Sequence, residues 1–207
     1  MRRHLSTGLL AATLALAAGA AQAVTIGFSL TLSGNPNVPT FSLENLSERD
    51  RIALFDFTVG DTSRNFDEVI LGAGPAGGTS TLVFGSDAQG GTSATGGRTD
   101  SFAVAYTGFA PGLTAQLTAD VDRDDINSFE NYRVRFFNNG AAPNSVATVT
   151  FASGRELQIT LPDQNAVSNT YFFSEVVDVA PIPLPAGGSL LALALAGIAL
   201  AARRRRG

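Results

Sequence analysis

The 207-residue chain has no cysteine, no tryptophan and no lysine, and its one histidine is His4. Without cysteine there are neither disulfides nor thiol chemistry. Without histidine beyond the first residues, a Ser-His-Asp triad and a His/Cys zinc site are excluded, and without lysine so is a Schiff base. Carboxylates, tyrosine hydroxyls, Ser/Thr and arginine are what remains for chemistry. Positive charge is also scarce where it would matter. The formal net charge is −4, but six of the 14 basic residues (Arg2, Arg3 and Arg203 to Arg206) sit at the two ends. All 18 acidic residues lie between them, so the middle carries eight arginines against eighteen carboxylates, or −10. Such a surface repels nucleic acid and anionic headgroups and attracts divalent cations. Nucleic acid is excluded as a partner.

The two ends read as address signals. Arg2, Arg3 and His4 form a positive region, Leu9 to Ala18 an apolar one, and Ala21-Gln22-Ala23 a small-x-small cleavage site. Residues 1–23 are therefore expected to be a signal peptide cut after Ala23. Arg2-Arg3 sits too near the start for a twin-arginine signal, so Sec-type export followed by signal peptidase is expected. At the other end, Pro181-Ile182-Pro183-Leu184-Pro185-Ala186 precedes an apolar run, Gly187 to Ala202, and then Arg203, Arg204, Arg205 and Arg206. As a helix the sixteen-residue run would be about 24 Å long. That is short of a hydrocarbon core of roughly 30 Å, a gap that bilayer thinning and tilted flanks can close. The four arginines would stay cytoplasmic, which puts everything before Pro181 outside the cytoplasm.

Motif, apolar run and arginine cluster, in that order, resemble the PEP-CTERM class of bacterial sorting tails and its VPLPA-CTERM variety most of all. Ile182-Pro183-Leu184-Pro185-Ala186 stands on the motif, with Ile182 in the place of Val. The resemblance implies a tail (181–207) that anchors the protein transiently in the inner membrane until an exosortase-type protease cuts near the motif. It also implies a Gram-negative host that makes exopolysaccharide, a further partner. An ordinary tail anchor is the plainer reading of the same residues.

The middle, residues 24–180, is one domain's worth of chain, long enough for a real core. Short runs of period-two alternation recur about every ten residues, separated by Gly, Asn, Pro and Asp. Strands are expected at Val24–Leu32, Ile52–Val59, Phe66–Leu71, Thr79–Phe84, Leu113–Val121, Tyr132–Phe137, Val146–Phe151, Glu156–Leu161 and Tyr171–Val179. Asn138-Asn139-Gly140 and Ala152-Ser153-Gly154-Arg155 read as turns, the second a hairpin. Glu44–Arg51 reads as one helical turn or a polar connection, and Gly85–Thr99 as a mobile Gly/Ser/Thr-rich loop. Nine or ten short strands make an all-β, antiparallel β-sandwich of jelly-roll or Ig-like kind, and the same pattern also fits closure into a barrel. Within Pro111–Leu161, Pro111-Gly112, Asp120-Val121-Asp122, Asn139-Gly140 and Val149-Thr150-Phe151-Ala152-Ser153-Gly154 resemble a domain pattern of exported PEP-CTERM proteins. That pattern implies no enzyme activity.

Three stretches invite a chemical reading. Gly72-Ala73-Gly74-Pro75-Ala76-Gly77 after a strand matches G-x-G-x-x-G. A dinucleotide fingerprint also needs a following helix whose amides meet the pyrophosphate. Here Leu82-Val83-Phe84 continues as strand pattern, so we read a glycine-rich β-turn connection. Asp120, Asp122, Asp124 and Asp125 fall within six residues, with Asn127 and Glu130 close behind. Hard oxygen ligands so close suit weak structural Ca2+, and a solvated acidic loop is the other reading. It is no EF-hand, because counting from Asp120 the sixth residue is Asp125 rather than Gly and the twelfth is Asn131 rather than Glu. Finally, Asp56, Asp67, Glu68 and Glu156 are candidate acids for glycoside hydrolysis, although no pair stands out. Tyr106, Tyr132 and Tyr171 would be its only sugar-stacking rings, and the fourteen phenylalanines read as core.

The expectation is a non-catalytic cell-surface or extracellular-matrix protein, first inner-membrane anchored and then surface-bound or secreted, with a structural or adhesive role and no required cofactor. A secreted glycan-binding or glycan-hydrolysing protein using carboxylates is the alternative.

Overall fold

Alternation of apolar and polar residues becomes ten strands. The computed structural model describes residues 24–84, 100–124, 126, 128–137, 142–163, 168 and 170–179. The signal region with Ala21 and Ala23, the loop at 85–99, Asp125, Asn127, the turn at 138–140, and the tail from Ile182 through Arg206 lie outside them. Thr25–Asp178 forms the unit described here.

In chain order the elements are β1 (Val24–Gly34), β2 (Pro39–Asn45), β3 (Ile52–Thr58), β4 (Arg64–Leu71), β5 (Thr79–Phe84), β6 (Ser101–Phe109), β7 (Thr114–Arg123), α1 (Tyr132–Arg135), β8 (Val146–Phe151), β9 (Glu156–Thr160) and β10 (Thr170–Val179). They make two five-stranded antiparallel sheets, ordered β10-β1-β2-β7-β4 and β5-β6-β3-β8-β9. Among the described residues no helix is long and apolar enough to cross a membrane.

Strand β7 shows why these residues pair as they do. Ala115, Leu117, Ala119 and Val121 are buried, while Thr114 and Gln116 are exposed and Thr118 and Asp120 half-buried. A period of two puts the first set on the core face and the second on the outer face. The same logic buries Phe28, Leu30 and Leu32 of β1 and Phe41 and Leu43 of β2. Phe41 of β2 meets Phe57 of β3 at 4.9 Å and Phe102 of β6 at 5.6 Å, both edge to face. Phe66 of β4 meets Phe102 at 5.0 Å. The core therefore lies between the sheets, built from rings in the offset geometry their quadrupoles favour.

Two strands, β2 and β6, fall where no strand was expected, although Phe41/Leu43 and Phe102/Val104/Tyr106 carry the alternation. Glu44–Arg51 divides between the end of β2 and a polar connection, with no helical turn. Tyr132–Phe137 is not a strand. Asn131 caps a single helical turn, its side chain accepting a hydrogen bond from the Arg133 amide. The helical period puts Tyr132 and Phe136 on one face, both fully buried, and turns Val134 outward. A strand would have set all three on the same side. Phe136 then packs against Phe41, Phe57 and Phe66, reaching both sheets.

The hairpin expected at Ala152–Arg155 joins β8 to β9, with Gly154 at φ +81° and its amide bonded to the Phe151 carbonyl. The glycine-rich stretch after β4 leads straight into β5, not a helix. Two amides at its ends are engaged: Gly72 N–H donates to Gln116 O and Gly78 N–H to Pro75 O, each at 2.9 Å. Gly78 is glycine for packing, since a Cβ there would lie 2.0 Å from the Thr107 carbonyl oxygen.

Candidate metal centre

Strands β4 and β7 pair antiparallel along the outer edge of their sheet, with Asn65 opposite Asp122, Phe66 opposite Val121 and Glu68 opposite Asp120. Asp67 is the extra residue between the last two pairs, in a register shift of the bulge kind. A bulge re-aims a side chain, and here the outcome is a cluster. One carboxylate oxygen each from Asp67, Asp120 and Asp122 lies within 4.8 Å of the other two. Asp122 is 0% and Asp67 4% exposed, with Asp120 half-buried.

These outer-face acids are buried because two loops fold over them. Asn37, between β1 and β2, donates from Nδ2 to Asp120 Oδ1 at 2.8 Å and accepts from the Glu130 amide at 2.8 Å. The Ser128 amide donates to Asp122 Oδ1 at 2.8 Å. Asn65 Nδ2 donates to Asp124 Oδ1 at 2.9 Å. Glu130, itself buried, pairs with Arg135 and lies 3.6 Å from Arg64 Nε. The segment 128–137 thus caps the acids through its first residues and plugs the core through Tyr132 and Phe136.

The electrostatics follow from that crowding. Burial pushes the Asp120 carboxyl up to about 7, and the charges of Asp122, Asp67 and Glu68 add to the shift against the Val121 amide. Carboxylates in such a site are held by protons, hydrogen bonds or a cation. All-oxygen donors around a small volume are what a hard divalent ion such as Ca2+ takes.

Of the four aspartates expected to bind metal, the structure brings Asp120 and Asp122 together but not Asp124, whose Oδ1 is turned to Asn65. Asp125 lies outside the described residues. The third member, Asp67, had a sequence signal only as an isolated acid. Its partners lie over fifty residues away, and the bulged register that joins them is a tertiary fact.

The candidate glycosidase acids do not assemble. Asp56 and Glu156 belong to one sheet, Asp67 and Glu68 to the other. Asp67 and Asp122 are too buried to meet a sugar. Tyr106, Tyr132 and Tyr171 are all buried, so none offers an open stacking face. Among the described residues ten phenylalanines are core, whereas Phe129 and Phe172 are exposed. No family model, no curated protein and no solved structure matches this chain.

Proposed function

We propose that the chain is an exported surface protein. Its β-sandwich is carried out by the N-terminal signal, held by the C-terminal helix in the inner membrane, and processed near Ile182–Ala186 by an exosortase-type protease. Its role is structural or adhesive, in the cell surface or the exopolysaccharide matrix. The observation that carries this reading is the order of the tail: Pro-x-Pro-x-Pro, then the uncharged run, then Arg203–Arg206. A plain membrane anchor has no use for the first of these.

Of the two sandwich types expected, the strand order supports the Ig-like one. Set aside β5, β6 and β10, and β1-β2-β7-β4 against β3-β8-β9 follows the A-B-E-D against C-F-G order of Ig constant-type domains. The β5–β6 hairpin is added beside β3, and β10 beside β1. Fold alone assigns no function; it supplies a rigid carrier for surface loops.

Intact mass of the exported protein from its native host tests the proposal. A polypeptide running from Val24 to Pro185 or Ala186 is expected. A mass that still includes Arg203–Arg206 overturns the sorting assignment and leaves an anchored protein.

A further inference from the structure

We propose that Asp67, Asp120, Asp122 and the Asn65 side-chain oxygen form a divalent-cation site, selective for Ca2+, that staples the two loops over the β4–β7 edge. It stands independently of the sorting tail.

The acids alone would not suffice, since buried carboxylates can be held by protons or hydrogen bonds. Asn65 supplies the second observation. It is 3% exposed and lies directly opposite Asp122 in the strand register. Its Nδ2 is engaged by Asp124, yet among the described residues its Oδ1 has no hydrogen-bond partner. A buried amide oxygen left so is costly, and it asks for a ligand. The geometry says which. Along β7 the order is Asp120, Asp122, Asp124, and Asn65 turns its nitrogen towards the last. A planar amide then carries its oxygen on the side of Asp122 and Asp120, where the three carboxylates converge. An acceptor aimed at acceptors is repelled unless a cation, or a proton on one of the carboxyls, stands between them.

Four oxygen donors, three of them anionic, fall short of the six to eight Ca2+ takes, and water or Glu68 can complete the shell. Mg2+ demands a tighter octahedron and gives up its water reluctantly, so a pre-built and largely buried oxygen cage favours the larger ion. Affinity of an extracellular module, about 10⁻⁴–10⁻³ M, is the expectation. An ion here would bind β4 to β7 directly. Through Asn37 on Asp120 and Ser128 on Asp122 it would also hold the β1–β2 loop and the 128–137 cap.

The test is thermal melting and isothermal titration of the exported protein after EDTA dialysis, with CaCl2 as the probe. At a tenfold excess over Kd, the midpoint is expected to rise by about 3–6 °C. Asp67→Asn and Asp120→Asn keep the side-chain shape and relieve repulsion, so both should fold in EDTA as well as the parent while losing the calcium shift. Glu156→Gln, exposed on the other sheet, should keep it. No shift and no binding heat in the parent overturns the proposal. So does a shift that survives in both Asn variants, which would place the ion elsewhere.

Discussion

The middle of the sandwich and the β4–β7 edge both exclude water, but they are closed by different means. Between the sheets, Phe41 and Phe66 interleave with Phe55, Phe57 and Phe102 while Phe136 fills the gap. These six rings carry no charge and need no counter-charge, so their packing does not depend on a proton or an ion. At the edge, Asp122 is as deeply buried as the rings and Asp67 nearly so. Their burial is favourable only with a proton, a donor or a cation in place. Two buried regions in one domain therefore answer to different conditions. The largest expected effect comes from breaking the unconditional one. Phe57 touches Phe41, Phe66, Phe102 and Phe136, so Phe57→Ala should cost about 3–5 kcal/mol in urea denaturation. The loss should be the same with calcium and with EDTA. A loss that shrinks in calcium would mean the two regions are not separate.

A middle-sized effect is expected where they meet. Asn131 caps the single helical turn whose Tyr132 and Phe136 enter the core, just after Ser128 and Glu130 cover the acids. Asn131→Ala removes the hydrogen bond to the Arg133 amide and should cost about 1 kcal/mol. Calcium should recover part of it, because an ion gripping Asp122 holds Ser128 and the segment behind it. Amide hydrogen exchange checks this. Faster exchange at Phe136 and Ser128 together is expected, and a change confined to one of them would show that the segment does not act as a unit.

How much of this could be read in the sequence divides along the same line. The core was legible: alternation at 113–121 marked Ala115, Leu117, Ala119 and Val121 as one face, and the abundance of Phe marked its filling. Local rules suffice where burial and period coincide. They failed at Tyr132–Phe137, because Tyr-x-Val-x-Phe satisfies a period of two while Tyr132 and Phe136 also satisfy a helical i, i+4 spacing. The Asn131 cap and the Pro36 carbonyl that binds the Tyr132 amide decided the matter. The acidic site was half legible. Asp120 and Asp122 announce themselves as alternate residues at a strand end, but Asp124 points elsewhere, and Asp67 joins only through a bulge in a pairing of distant strands. The glycine stretch at 72–77 was legible by exclusion, since the β pattern after it left no helix for a phosphate.

The smallest effect is also the most specific to the edge. Asp120 has its pKa raised to about 7, chiefly by burial, against 3.8 for the unperturbed carboxyl. Between those values the folded protein holds a proton that the unfolded chain has released. Stability in EDTA should therefore fall as pH rises from about 4 to about 7 and level off above. Because Asp120 is only half-buried, solvent screening trims the change to about 1–3 °C in melting temperature. Asp56 and Asp100, also raised by burial, add slopes of the same sign, so the parent alone is not diagnostic. The difference between parent and Asp120→Asn isolates the group, since the amide still offers Asn37 an acceptor and cannot titrate. Phe57→Ala should keep the full slope, because its loss lies in the core. Saturating calcium should flatten the parent's slope to that of Asp120→Asn, an ion having replaced the proton as what makes the buried carboxyl tolerable. If Asp120→Asn melts with the parent's pH dependence, the proton belongs to another group, and the edge is no more conditional than the core.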